Sequence, residues 1–447
     1  MYKWFYSNWG TAMVQVITNK KIGFALLLIA TACCLRPVYA AQGESPEVEA
    51  LFKQGMSALE EEELKSAMEA FRNILDRDPS LNRVKLELAL SYYRSLRYER
   101  AQELAKEVLD DPLTPPEVRV TILAFLAQVK RDSERYGQRN QFTPYLSLGI
   151  MHDSNVNVGP TDGDIRIGDT GETGTLVPSS LKKSGNAAVL NTGIDYLFQS
   201  GKRIELGQRT GMLVWQSGAN VYWRKYHDFN DYDLMVASVN TGPAVLMLRH
   251  WRASLQVRSE FLDLGARALG WFHSVLPAFT WQFNNAELTW DGQYTHRYYH
   301  KDEDSGREGE YLATGLTYGF YLNNRRVALT TGARAIRFLA DEDEFAYTGG
   351  QLNAGISSKT YNGGSVYARG RFGYYDYDGD VPLFGKARNE KEYIGTVGLQ
   401  HEFKQPDDLM KGWMANLFWE GTHNDSNIGQ LYSYERNQIM LELSRTF

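Results

Sequence analysis

The segment Gln438-Ile439-Met440-Leu441-Glu442-Leu443-Ser444-Arg445-Thr446-Phe447 decides how the rest of the chain is read. Ile439, Leu441, Leu443 and Phe447 fall on one side of an extended strand, and Gln438, Glu442, Ser444 and Thr446 on the other. A period of two is the period of a β-strand, so this segment presents one apolar and one wet face. The alternation recurs upstream. In 253–261, Ala253, Leu255, Val257 and Phe261 oppose Ser254, Gln256, Arg258 and Glu260; in 274–283, Val275, Pro277, Phe279, Trp281 and Phe283 oppose Ser274, Thr280 and Gln282.

Fourteen such runs start near Thr143, Ala187, Leu213, Tyr232, Arg252, Trp271, Ala286, Gly309, Arg326, Ala346, Gly364, Lys391, Gly412 and Glu435. They reach about 10 to 14 residues, longer than the strands of ordinary soluble sheets and enough to cross a bilayer. Short connections (200–202, 284–285, 323–324, 362–364) alternate with longer, acidic ones (156–186, 227–231, 264–270, 300–309, 341–345, 377–390, 425–434). Short turns on one side, long loops on the other and an even strand number are the marks of an outer-membrane barrel. Trp271, Tyr298, Tyr299, Tyr374, Trp413 and Trp419 near the run ends would form its aromatic girdles. Residues 201–211 could belong to the second or the third strand, which leaves twelve and sixteen as alternative counts. A soluble sandwich would have to bury these apolar faces against each other, and strands of this length with Tyr and Trp outside do not favour it.

Composition agrees with a barrel. The 447 residues include 40 Gly, 27 Tyr, 20 Phe and 10 Trp, and a mean hydropathy of −0.42 excludes several apolar helical spans. A formal charge of −6 points away from nucleic acid as a partner.

Upstream of Gln141 the periodicity changes to three and four, over 46–138. Gly55, Ala58, Ala67, Phe71 and Pro79 fall at positions 8, 11, 20, 24 and 32 of a unit starting at Val48, and Ala89, Tyr92, Ala101 and Ala105 take matching places in a unit starting at Asn82. Small and aromatic residues at those places let two helices cross closely. The pattern resembles the tetratricopeptide repeat, with 117–130 as a capping helix. A plain helical bundle is the alternative. On the repeat reading, Lys53, Met56, Arg83, Glu87, Tyr93 and Arg94 project from a concave face that receives a polypeptide, although each could equally be solvated helix surface.

Residues 1–40 read as a secretory signal, with Lys20 and Lys21 as basic end, 22–35 as apolar core, and Val38-Tyr39-Ala40 as cleavage site. Cys33 and Cys34 would leave with it, and the mature chain would carry no thiol, which suits an oxidising compartment. A lipidated Cys33 after Ala30-Thr31-Ala32, and an uncleaved anchor, are the alternatives; Arg36 and Pro37 stand against the anchor.

Catalytic patterns are missing. No G-x-S-x-G or phosphate loop occurs, and His401-Glu402 lacks a second His at the required spacing. In His152-Asp153-Ser154 alternation throws neighbours to opposite faces, so no triad forms there. Asp376, Asp378 and Asp380 could offer alternate carboxylates to Ca²⁺, but the rest of an EF-hand is lacking and a solvated acidic loop is the better reading. We therefore expect no enzyme, no cofactor and no metal. One echo stands out: Asp153-Ser154-Asn155 ends the first strand and Asp425-Ser426-Asn427 the thirteenth. Closure of the barrel would bring both to one rim beside the seam, where such side chains cap turns or hold and release a passing chain.

Phe447, terminal on an alternating strand, resembles the signal read by the barrel assembly machinery. With the first strand Pro144-Tyr145-Leu146-Ser147-Leu148-Gly149, the Gly242-Pro243 pair, and Tyr434-Glu435-Arg436 running to Phe447, the chain resembles the surface lipoprotein assembly modulator (Slam) family. That resemblance implies periplasmic helical repeats before a fourteen-stranded barrel embedded in outer-membrane lipids. It also implies a translocon for a client lipoprotein or secreted protein. A polysaccharide exporter and a general porin or adhesin are the alternatives; Arg258 with Glu260 and Arg369 with Glu392 suggest a lumen of mixed charge, unlike the first of these.

Overall fold

The computed structural model describes residues 46–136, 138–167, 172–207, 209–247, 250–404 and 409–447. The expected signal at 1–40, with Cys33 and Cys34, lies outside the described residues.

The chain divides into two compact units. The first holds five helices: α1 (Pro46–Glu60), α2 (Leu64–Arg77), α3 (Asn82–Arg94), α4 (Tyr98–Asp110) and α5 (Pro116–Tyr136). Its core contains Ala67, Phe71, Ile74, Ala89, Ala101, Ala105 and Val108, all fully buried. Gly55 lies so close to Phe71 that a Cβ there would sit 2.6 Å from Cε1 of the ring. The α1–α2 and α3–α4 turns share one design. Glu62 and Leu96 both adopt positive φ, and the next amides, Glu63 N and Arg97 N, reach back to the Ala58 and Tyr92 carbonyls at 2.8 Å. These bonds satisfy carbonyls that a helix end leaves open.

Residues 199–213 belong to this first unit. There Arg203 donates to the Ser95 and Leu96 carbonyls, and Glu205 faces Arg97 at 3.4 Å.

The remaining residues form the second unit, and with 199–213 they make a closed antiparallel barrel of fourteen strands, so the count of fourteen holds over twelve and sixteen. In chain order come β1 (Asn140–Asp153), a small hairpin β2 (Asp164–Ile167) and β3 (Glu172–Thr175) inside the first long loop, then β4 (Gly185–Leu206), β5 (Arg209–Tyr226) and β6 (Leu234–Met247). The wall continues with β7 (Trp251–Leu264), β8 (Ala268–Gln282), β9 (Ala286–Tyr299), β10 (Gly309–Leu322), β11 (Val327–Ala340) and β12 (Tyr347–Lys359). It ends with β13 (Gly364–Val381), β14 (Lys386–Glu402), β15 (Trp413–Ser426), a short α6 (Gly429–Tyr432) and β16 (Tyr434–Thr446). Every wall strand except β1 and β16 pairs only with its sequence neighbours; β1 closes the ring against β16, from Tyr145↔Thr446 to Asp153↔Gln438. Among the described residues no helix is long and apolar enough to cross a membrane. The crossing is made by strands.

The two faces separate as the alternation requires, and Tyr299, expected in an outer girdle, takes the inward parity opposite Tyr298 and is buried. Leu148, Ile150, Val257, Trp281, Leu316, Val397 and Ile439 stand exposed on the outer wall, whereas Glu260, Asp291, Arg334, Arg371 and Glu442 occupy the alternate, inward positions.

Three expected boundaries move. The second wall strand does not turn at Ser200-Gly201-Lys202: Gly201 takes positive φ inside β4, the strand continues to Leu206, and the turn falls at Gly207. The acidic stretch 377–390 is not a loop, because β13 runs to Val381 and β14 starts at Lys386 across a register shift between Asp376 and Asp380. Asp378 is held there by both terminal nitrogens of Arg337, at 2.9 and 2.6 Å, so it is an exposed ion-pair partner on a wall strand rather than a loop residue. At 264–270 only a tight turn remains, with Gly265 and Ala266 at positive φ.

Candidate functional site at the barrel seam

Asp153, the last residue of β1, faces the lumen and is fully buried. Its carboxylate lies opposite β16, where Arg436 donates Nε to Oδ1 at 3.0 Å and Nη2 to Oδ2 at 2.6 Å. Gln438 of β16 adds Nε2 to Oδ2 at 3.1 Å, and β5 contributes the Tyr226 hydroxyl at 2.7 Å. The Asn155 amide donates to Oδ1 at 3.0 Å. A two-pronged guanidinium–carboxylate contact is the strongest geometry open to such a pair, and the added donors satisfy the remaining lone pairs. The clamp thus ties β1 to β16 and to β5 at once.

The two residues after Asp153 extend it. The Ser154 amide donates to the Asn437 carbonyl at 2.9 Å and the Ser154 hydroxyl accepts from the Asn437 amide at 2.8 Å. Asn155 is buried, donates to the Gly159 and Glu435 carbonyls, and accepts from the Gly159 amide. The second copy sits on the other flank of β16. The Ser426 hydroxyl accepts the Ile428 amide at 3.2 Å, and Asn427 exchanges bonds with the backbone of Asn389 and Ala387 on β14. Asp425 points outward and is exposed. Both copies therefore reach one rim, with strand-joining and turn-capping bonds. His152 is exposed on the outer face, its Nδ1 2.8 Å from the Asn186 side-chain oxygen, while Asp153 points inward. These neighbours form no catalytic set. Among the described residues no group of three or more acidic, His or Cys side chains could hold a metal ion.

At the other end of the seam the Phe447 amide donates to the Pro144 carbonyl at 2.9 Å, and the Arg445 guanidinium lies over the exposed Phe447 ring. In the helical unit, Lys53 and Arg83 are exposed. Glu87 and Tyr93 are not surface residues: Tyr93 packs against Tyr98 and Phe125 and donates to Asp132. Burial pushes the Glu87 carboxyl above the usual carboxylate range, against the pull of Arg83 and Arg94. Arg94 is half-buried and caps the Leu59 carbonyl at 2.9 Å, and half-buried Met56 packs on the core.

Sequence reasoning did not single out Tyr226 or Gln438, and used Arg436 only in the family pattern. The available sign was a charge or amide on the inward parity of a strand. Glu392 pairs with Arg371 at 3.2 Å rather than with Arg369, which lies over Tyr367. Arg252–Glu287 at 3.0 Å and Asp291–Arg334 are further inward pairs. The lumen carries both signs.

A closed even-stranded barrel, apolar outside and polar inside, is an outer-membrane β-barrel protein. The model of the Surface lipoprotein assembly modifier family matches residues 143–447. The chain belongs to that family, and its place is the outer membrane. A "Surface lipoprotein assembly modifier 2" of Haemophilus influenzae is 21% identical over 433 residues, covering 92% of this chain and 80% of the relative. A "Surface lipoprotein assembly modifier" of Pasteurella multocida is 23% identical over 208 residues, 46% of this chain and only 36% of that protein's length. Among solved structures, OmpT of Vibrio cholerae aligns with a TM-score of 0.38 and 7% identity over 69% of this chain and 98% of its own. OprD of Pseudomonas aeruginosa aligns at 0.35 and 9%, over 68% and 94%.

Proposed function

We propose that this chain is an outer-membrane translocon that promotes surface display of a client lipoprotein, or secretion of a soluble client, with its helices receiving the client in the periplasm. The observation that carries this reading is the coupling of a family barrel to a helical unit in one chain, a pairing the Haemophilus influenzae relative spans. The identically bonded turns around Glu62 and Leu96 support stacked tetratricopeptide-like hairpins, which bind polypeptide segments on their open faces. Lys53 and Arg83 are the exposed residues of the expected receiving face. A client held there would be presented to the barrel at raised local concentration. The inward ion pairs of both signs do not suit a polysaccharide exporter, whose lumen would carry one sign.

The test is photo-crosslinking in living cells from a reactive amino acid placed at Lys53 or Arg83. The expected result is one discrete adduct with a lipoprotein or secreted protein that later reaches the surface. Absence of any protein adduct at both positions, with the chain correctly inserted, would overturn the receiving role.

A further inference from the structure

Several inward-facing arginines of this barrel are matched to a carboxylate, as Arg252 is to Glu287, Arg371 to Glu392 and Arg436 to Asp153. Arg224 of β5 is not so matched. It is 5% exposed and on the inward parity of the strand, between outward Trp223 and Lys225. Among the described residues no hydrogen bond or ion pair reaches it. Its Nε is buried without an acceptor, as are those of Arg297 and Arg371, and its guanidinium carbon lies 5.2 Å from the centroid of the Tyr226 ring. The nearby Asp153 is already taken by Arg436, Tyr226 and Gln438.

A guanidinium keeps its charge at any physiological pH, and burying one of its donors, here Nε, without an acceptor is costly. Stability alone would favour an apolar residue here, and such retained cost is common where a group must meet a ligand. Tyr222 and Tyr226 flank Arg224 along β5 and pack with Met151, Val189 and Met440. The Arg436–Asp153 pair and Glu442 also act on Tyr222, and a guanidinium set beside these apolar and aromatic side chains suits a carboxylate on an apolar stem better than a small hydrated anion. We propose that Arg224 is a lumenal docking point for an acidic side chain of a polypeptide passing beside the seam clamp. This rests on the translocon reading, in which a polypeptide occupies the lumen.

The experiment uses the full chain in detergent micelles and fluorescein-labelled hexaglutamate and hexaglutamine peptides, followed by fluorescence polarisation at low salt. Hexaglutamate is expected to bind and hexaglutamine not. Arg224→Gln should weaken hexaglutamate binding about tenfold or more, the scale of a charge-assisted hydrogen bond, with Arg224→Lys between the two. Lys225→Gln, on the outer face, should leave it unchanged. Equal binding by wild type and R224Q overturns the inference, as does equal binding of the two peptides. Sodium phosphate that competes as well per molecule as the peptide also overturns it, because the site would then be one for small anions. Should R224Q not fold, R224K, which keeps the charge but loses the fork, makes the same comparison. Loss of binding in R224Q with surface lipoproteins unaffected by gene deletion would retire the translocon reading alone; the reverse pair of results would retire this inference alone.

Discussion

Asp153 and Arg436 stand 283 positions apart and share a buried two-pronged contact at the joint where the first and last strands close the barrel. Removing one partner of such a pair leaves an uncompensated buried charge, whereas removing both does not. Arg436→Met should therefore lower stability by about 3–5 kcal/mol, and D153N/R436M should recover most of that loss. Urea unfolding in micelles, read by the heat-modifiable electrophoretic mobility of the barrel, checks both. Glu87 gives a second residue-scale prediction, with a definite sign. Its folded carboxyl titrates above the ordinary range because burial disfavours the charged form. The folded state then binds more protons than the unfolded one in the window between the ordinary and the raised pKa, so stability falls as pH rises through it. Glu87→Gln should make the helical unit more stable at neutral pH and remove that slope, as followed by circular dichroism melts across acidic to neutral pH. The residues of the clamp were only half visible in the sequence. The Asp-Ser-Asn echo marked the β1 end because capping chemistry is local, but the acceptor's partner is set by barrel closure, which no local pattern encodes.

At the scale of elements, a helix pair depends on the place where it crosses. Gly55 and Phe71 make that crossing between α1 and α2, with no room for even one added carbon. Phe71→Ala should cost about 3–5 kcal/mol through the cavity it leaves. Gly55→Ala should also destabilise, through the opposite fault of overpacking, and a melt of the full chain's helical signal separates both from wild type. All fourteen wall strands were visible in the sequence because a period of two is written residue by residue, as in Ala253 to Phe261. Their ends were less so. β13 and β14 extend through an acidic stretch because Arg337, on another strand, binds Asp378. β4 passes Gly201 because a glycine at positive φ can sit inside a strand as well as at its turn.

For the whole molecule, the low hydropathy that excludes helical spans is what a barrel with a wet interior requires. That interior is not evenly filled. Towards the end carrying the long loops, inward Tyr226, Phe272, Tyr299, Tyr311, Phe338, Tyr347 and Tyr375 are all buried, while inward Gln216, Gln256, Gln282, Thr317 and Gln400 towards the short turns are half-buried. A barrel so packed at one end should show no open-channel steps comparable with a porin's in planar bilayers; porin-like steps would mean that the packed end opens unaided. The central claim, assistance to particular surface proteins, is tested most directly by labelling intact cells with a membrane-impermeant reagent, with the gene deleted and with the full chain restored. The account predicts that a small set of lipoproteins or secreted proteins loses surface labelling on deletion, stays in the cell at undiminished total amount, and regains labelling on restoration. An unchanged surface-protein profile would contradict it.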